Sequence, residues 1–93
     1  MEWKNKIAVI TGATTGIGKA TKDLLRSEGC VVYNLDLNQP EEEDAHFILC
    51  DVSKKEDINA AIDKIFAKEK KIDLLFANAG VHLFATLEET SYE

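Results

Sequence analysis

Ile7-Ala8-Val9-Ile10-Thr11-Gly12-Ala13-Thr14-Thr15-Gly16-Ile17-Gly18-Lys19 is the stretch that decides the fold of this chain. It opens on an unbroken apolar run, the pattern of a strand buried on both faces rather than one that alternates toward solvent. Three glycines follow at one bend. Beyond them Ile17, Ala20, Leu24 and Leu25 recur at helical spacing, and Gly29 stands where a left-handed stop is wanted. The stretch therefore predicts strand, glycine bend and amphipathic helix without interruption.

Three further apolar runs, Val31-Val32-Tyr33, Phe47-Ile48-Leu49 and Leu74-Leu75-Phe76-Ala77, have the same look of strands buried on both faces. Between the last two, Ile58, Ala61, Ile62, Ile65 and Phe66 mark a second helix, and Ser53-Lys54-Lys55-Glu56 before it has capping-box spacing. The segment from Asp36 to Asp44 is short, polar and broken by Pro40, which reads as a loop or an irregular turn. Right-handed connections then give an α/β fold: a doubly wound parallel sheet with strands in the order 3-2-1-4. The sheet changes its direction of growth between strands 1 and 4, so ligands are expected at the carboxyl ends of the strands.

The glycines have separate uses at that edge. Gly12 can make the turn, Gly16 can let a phosphate approach, and Gly18 can bring helix against strand. Outward-facing N–H groups and the positive end of the helix suit a pyrophosphate with no basic side chain required. A plain tight turn is the competing reading. A P-loop fails on spacing: Gly12 and Gly18 are too far apart, and Ala20 follows Lys19 where a magnesium-binding hydroxyl is needed.

Composition bounds the rest. The chain has 93 residues, 45% of them hydrophobic and 30% charged, which is the make-up of one globular domain. A net charge of −6 provides no basic face for nucleic acid. The run Glu41-Glu42-Glu43-Asp44 reads as a solvated loop. No apolar stretch reaches the roughly 18 residues of a membrane span, and the N-terminus has no signal-peptide core, so no membrane partner and a cytoplasmic location are expected. Cys30 and Cys50 are expected on the order of 15 Å apart, as buried small hydrophobes rather than a disulfide. His46 falls at the wrong end of the sheet for chemistry, and no ligand spacing points to a metal.

Gly-x-x-x-Gly-x-Gly from Gly12 to Gly18, Asp36 ending strand two, Asp51-Val52 after strand three and Asn78-Ala79-Gly80 after strand four occur in that order. Together they resemble the short-chain dehydrogenase/reductase family, with its Rossmann-type fold, from Lys6 to about Gly80. The resemblance implies a dinucleotide cofactor, a small alcohol or carbonyl substrate in the complete protein, and a homo-oligomer as a possibility. It implies that Gly12, Thr14, Thr15, Gly16, Ile17 and Gly18 meet the cofactor, that Asp51 and Val52 border adenine, and that Asn78, Ala79 and Gly80 pass its ribose. Ala77 stands where many members have another asparagine. Asp51 has a second reading, as a residue before a helix start that Ser53 caps.

Asp36 lies about 24 residues past Gly12, near the separation at which an acid meets the adenosine ribose in this fold. A 2′-phosphate about 4 Å from its carboxylate would cost roughly 4 kcal/mol per unit charge at an effective dielectric of about 20. NAD is therefore expected over NADP, in keeping with Leu37 after the acid and Thr15 before the second glycine. The alternative for Asp36 is a solvated turn aspartate, and His82 either faces the crevice, within reach of nicotinamide or substrate, or is an exposed loop histidine.

The family's tyrosine acid/base precedes a lysine by four residues. Tyr33 is followed at that spacing by Leu37, and Tyr92 by the end of the sequence. Ser27, Ser53 and Ser91 do not stand where the resemblance puts a catalytic serine. The expectation is a single domain's N-terminal, cofactor-binding part over residues 1–93, with the catalytic half beyond Glu93 and strand four left as an apolar edge. The second expectation is a naturally short module that binds dinucleotide or a partner without catalysis.

Overall fold

A computed structural model of the chain describes residues 2–77. The expectations on Asn78, Ala79, Gly80 and His82 lie outside the described residues. The elements run β1 (Ile7–Thr11), α1 (Gly16–Ser27), β2 (Val31–Asp36), β3 (Phe47–Leu49), α2 (Lys55–Glu69) and β4 (Leu74–Ala77). Four parallel strands lie in the order β3-β2-β1-β4, as the sequence predicts.

Strand alternation divides the core in two. Ile7, Val9, Tyr33, Leu35 and Leu75 face α2, where Ile58, Ala61, Ile62 and Ile65 meet them. Ala8, Ile10 and Val32 face the other way, toward Ala13, Leu25 and Cys30. β1 is buried along its whole length because a helix covers each face. The outer strands differ from the expectation. β3 is half-buried with Leu49 exposed, and in β4 only Leu75 is buried. Both helices lie chiefly over the middle of the sheet, so the strands flanking it keep part of their surface in solvent.

α1 has the predicted period on a different face. Gly18, Lys22 and Leu25 are its buried residues, whereas Ile17 and Leu24 are 73% and 62% exposed and Ala20 is exposed. At 100° per residue the Ile17–Leu24 stripe lies about 130° round the helix from the buried line. Gly18 decides this: lacking a side chain, it is where the helix axis can come closest to the sheet, and residues four and seven further on follow it inward.

The start of α2 also corrects a prediction. Its N-cap is Lys54, whose side chain makes no capping bond, and Ser53 Oγ donates instead to Asp51 Oδ1 at 2.6 Å. The capping box on Ser53 and Glu56 does not form. Asp57, one residue later, accepts from the Asp51 N–H at 3.3 Å, and Glu56 and Asp57 together place negative charge at the helix's positive end.

Cys30 and Cys50 are buried and unbridged, as expected. Burial, followed by the nearby charges of Asp57 and Asp51, pushes the Cys50 thiol up to about 11, so it stays protonated and packs as an apolar group. Burial is likewise the first cause raising Cys30.

Candidate functional site

Register puts the strand ends on one line. Thr11 of β1 stands beside Leu35 of β2 and Ala77 of β4, and Asp36 beside Leu49 of β3. The residues that follow, Gly12 to Gly16, Leu37 and Cys50 to Val52, therefore emerge at the same sheet edge. That is where the sequence placed a ligand.

Gly12 and Gly16 both adopt left-handed backbone, with φ of +69° and +64°, which an L side chain enters only at a cost. A Cβ built on Gly16 meets nothing within 4 Å, so the surface above this residue is open. Gly18 is buried under the helix start. The Gly12 N–H donates to the Leu35 carbonyl at 2.9 Å, which ties the turn to β2. α1 then begins with Thr15 in extended backbone, with no side-chain cap and no acid in the first turn. α2 has two acids at the same position. Only α1 leaves its positive end uncompensated by its own side chains, a surface suited to an anion.

Asp36 is held by two backbone donors. Thr14 N–H reaches Oδ2 at 3.3 Å, and Asn38 N–H reaches Oδ1 at 3.1 Å. Oδ1 thus closes a turn of its own with Asn38, while Oδ2 lies against the glycine loop. Leu37 next to it is 58% exposed at the mouth of the site, and Ile17 is exposed at the start of α1.

Asn34 is a residue that the sequence reading passed over. It is fully buried inside β2, which runs three residues beyond the apolar run that predicted it. Its Oδ1 accepts from Ala13 N–H at 2.9 Å, and its Nδ2 donates to Thr14 Oγ1 at 3.1 Å. Thr14 Oγ1 donates in turn to the Asn38 carbonyl at 2.7 Å. A polar residue closing an apolar run just before an acid was the available signal.

Asp51 forms its own turn, accepting from both the backbone and hydroxyl of Ser53, and the hydroxyl bond is the first cause that holds its carboxyl below the usual range. It is half-buried and ionised. Val52 is half-buried against the α2-side core. Asp51 joins the same edge as Asp36 through the Cys50 N–H, which donates to the Asp36 carbonyl at 3.1 Å.

A cavity of about 880 Å³ opens beside this edge, between the Thr14–Gly16 bend, the Lys19, Lys22 and Arg26 side of α1, and residues 38–45. It does not include Asp36 or Asp51. Glu41, Glu42 and Glu43 are exposed, as a solvated run should be, but Asp44 departs from that reading. Its side chain is only 10% exposed and bridges Arg26 at 3.0 Å while accepting from His46 N–H. Burial works against its ionisation, yet the His46 N–H and the Arg26 guanidinium hold the carboxyl below its ordinary value. His46 itself packs edge-on against Tyr33, just ahead of β3.

This arrangement defines a class: a doubly wound α/β protein with a glycine bend and an acid-terminated second strand at its ligand edge. The chain belongs to the short-chain dehydrogenase family, whose profile matches residues 6–93. It is 35% identical over 97 residues to the NAD-dependent glycerol dehydrogenase of Listeria innocua, covering 96% of this chain and 38% of that protein. It is 34% identical to tropinone reductase-like 1 of Erythroxylum coca, covering 84% and 32%. Among solved structures, ligand-free aldohexose dehydrogenase of Thermoplasma acidophilum superposes with a TM-score of 0.79 at 35% identity, covering 85% of this chain and 31% of that one. An NAD⁺-bound xylitol dehydrogenase superposes at 0.74 with 30% identity, covering 87% and 35%. The chain spans about a third of the length of these relatives.

Proposed function

We propose that this chain is the cofactor-binding part of an NAD-dependent oxidoreductase that moves hydride between the cofactor and a small alcohol or carbonyl compound. The observation that carries the reading is the pairing of the open Gly16 surface and uncapped α1 N-terminus with the Asp36 carboxylate held at the same edge. These residues fit a dinucleotide. The glycine bend and α1 would hold its pyrophosphate, Asp36 and Leu37 its adenosine ribose, and Asp51 and Val52 its adenine; the family resemblance adds Asn78, Ala79 and Gly80, which lie outside the described residues. Bound NAD supplies the hydride acceptor. The chain's own residues bind and orient it: N–H groups meet the phosphates, and the Asp36 carboxylate accepts from ribose hydroxyls and repels a 2′-phosphate.

No tyrosine in this sequence has a lysine four residues on, so no residue of these 93 is given a part in proton transfer. The 93 residues alone are expected to be inactive, and a cytoplasmic location is part of the same reading. A module that binds dinucleotide without catalysis is the second reading, favoured by the bonds from Gly12 N–H to the Leu35 carbonyl and from Thr14 N–H to Asp36, which hold the bend and the acid together with residues of this chain alone.

Asp36→Ala is the test. Titration with NADH and NADPH should show weaker NADH binding and a smaller preference over NADPH. Equal binding of both cofactors by variant and wild type would remove Asp36 from recognition.

A further inference from the structure

A buried amide in the middle of an apolar sheet is costly unless both of its ends are bonded. Asn34 sits fully buried in β2, between Val32 and Asp36 on the face toward α1, where strand alternation places all three. Asparagine is a poor strand former and adds no apolar contact here, so packing does not explain it. Its bonds do. Oδ1 takes the Ala13 N–H at 2.9 Å, which also settles which end of the amide is oxygen, and Nδ2 reaches Thr14 Oγ1 at 3.1 Å. Both ends thus hold the glycine bend.

The consequence travels through Thr14. A threonine hydroxyl has one proton; accepting from Asn34 leaves that proton for the Asn38 carbonyl, 2.7 Å away. Asn38 N–H then meets Asp36 Oδ1 at 3.1 Å, and Thr14 N–H meets Oδ2 at 3.3 Å. The bonds close a ring, Thr14 to Asn38 to Asp36 and back to Thr14, and Asn34 is tied to that ring at the Thr14 hydroxyl. Each carboxylate oxygen is held by a different backbone donor, which fixes the plane of the carboxylate relative to the bend.

We propose that Asn34 is a positioning residue for cofactor discrimination: through Thr14 it locks the Asp36 carboxylate against the glycine bend, so that the acid cannot turn aside for a 2′-phosphate. This rests on the proposed dinucleotide function and extends it. Charge at Asp36 supplies the repulsion, and the ring keeps that charge from relaxing. An aspartate free to rotate would weaken the penalty by moving away, so preference for NAD over NADP depends on groups that touch neither cofactor's extra phosphate.

The experiment compares NADH and NADPH dissociation constants by fluorescence titration for the full chain and its Asn34→Leu, Thr14→Val and Thr14→Ser variants. Asn34→Leu keeps the branching of the side chain, though not its smaller volume, and removes both side-chain bonds. Thr14→Val keeps shape and removes the hydroxyl, at a half-buried site where folding is less at stake. Thr14→Ser restores it. Asn34→Leu and Thr14→Val should each weaken NADH by about fivefold to tenfold, the scale of one lost hydrogen bond, and cut the NADH-to-NADPH preference at least about threefold. Thr14→Ser should keep the wild-type preference. The double variant should lose no more preference than either single one, because the two residues act in series. Equal weakening of both cofactors in Thr14→Val, with the preference unchanged, would overturn the inference and leave Asn34 a structural residue. Wild-type chain that binds neither cofactor would instead overturn the proposed function, and this inference with it.

Discussion

At the residue scale, glycine at position 16 answers two separate demands. Its φ of +64° is unfavourable for any L side chain, and the space above it is open. The two can be pulled apart by one methyl group. Gly16→Ala is expected to cost only about 1–2 kcal/mol of stability, the left-handed penalty, because the new Cβ meets no neighbour. It should weaken NADH binding tenfold or more, because that methyl occupies the space a pyrophosphate needs. Urea unfolding reads the first quantity and cofactor titration the second. A variant that loses stability but binds NADH normally would show that the openness at Gly16 serves the backbone alone. Asp36 and the glycines were legible in the sequence because their chemistry is local and their spacing is regular. Asn34 was not, since its meaning comes from Ala13 and Thr14, some 20 residues away in the chain and adjacent only after folding.

At the element scale, the two helices start in different ways. α1 has neither side-chain cap nor acid at its N-terminus, while α2 has Glu56 and Asp57 in its first turn and an Asp57 bond to the Asp51 N–H. A helix closed by its own side chains has no further need of an anion. Asp57→Ala should therefore destabilise the protein by about 1 kcal/mol, whereas Ser53→Ala should cost less than about 0.5 kcal/mol, the reverse of what the capping-box spacing suggests. Denaturant midpoints of the two variants check this, and a larger loss for Ser53→Ala would reinstate the box. Apolar spacing predicted the right period for both helices and the wrong phase for α1. Periodicity counts apolar residues alike, but Gly18, which has no hydrophobicity to count, determined which side approaches the sheet.

For the whole molecule, the net charge of −6 conceals a set of carboxylates tied into the fold. The Ile7 N–H lowers the Asp73 carboxyl, joining the loop before β4 to the start of β1. Asp44 is lowered against its burial by His46 N–H and Arg26, joining the loop before β3 to α1. A carboxyl whose folded value lies below its unfolded one contributes stability that is present above the ordinary value of 3.8 and lost as pH falls through the folded one. The protein should accordingly lose stability as pH drops below about 4, and Asp44→Asn and Asp73→Asn should each flatten that decline. Urea unfolding between pH 6 and pH 2.5, both values chosen as roughly spanning the carboxylate range, measures it. Slopes unchanged in both variants would place acid sensitivity elsewhere.

The sequence by itself determined the order of elements and the parallel sheet 3-2-1-4, and it placed the glycine bend and Asp36 at one sheet edge, because strand runs, helical period and glycine positions are properties of neighbours in the chain. Only the tertiary structure decided which face of α1 is buried, that Asp44 is an ion-paired strut rather than part of a solvated run, and that Asn34 ties the glycine bend to Asp36. Each of these depends on a partner distant in sequence, and a hydrogen bond or a close approach has no value until folding removes the water that would otherwise satisfy it.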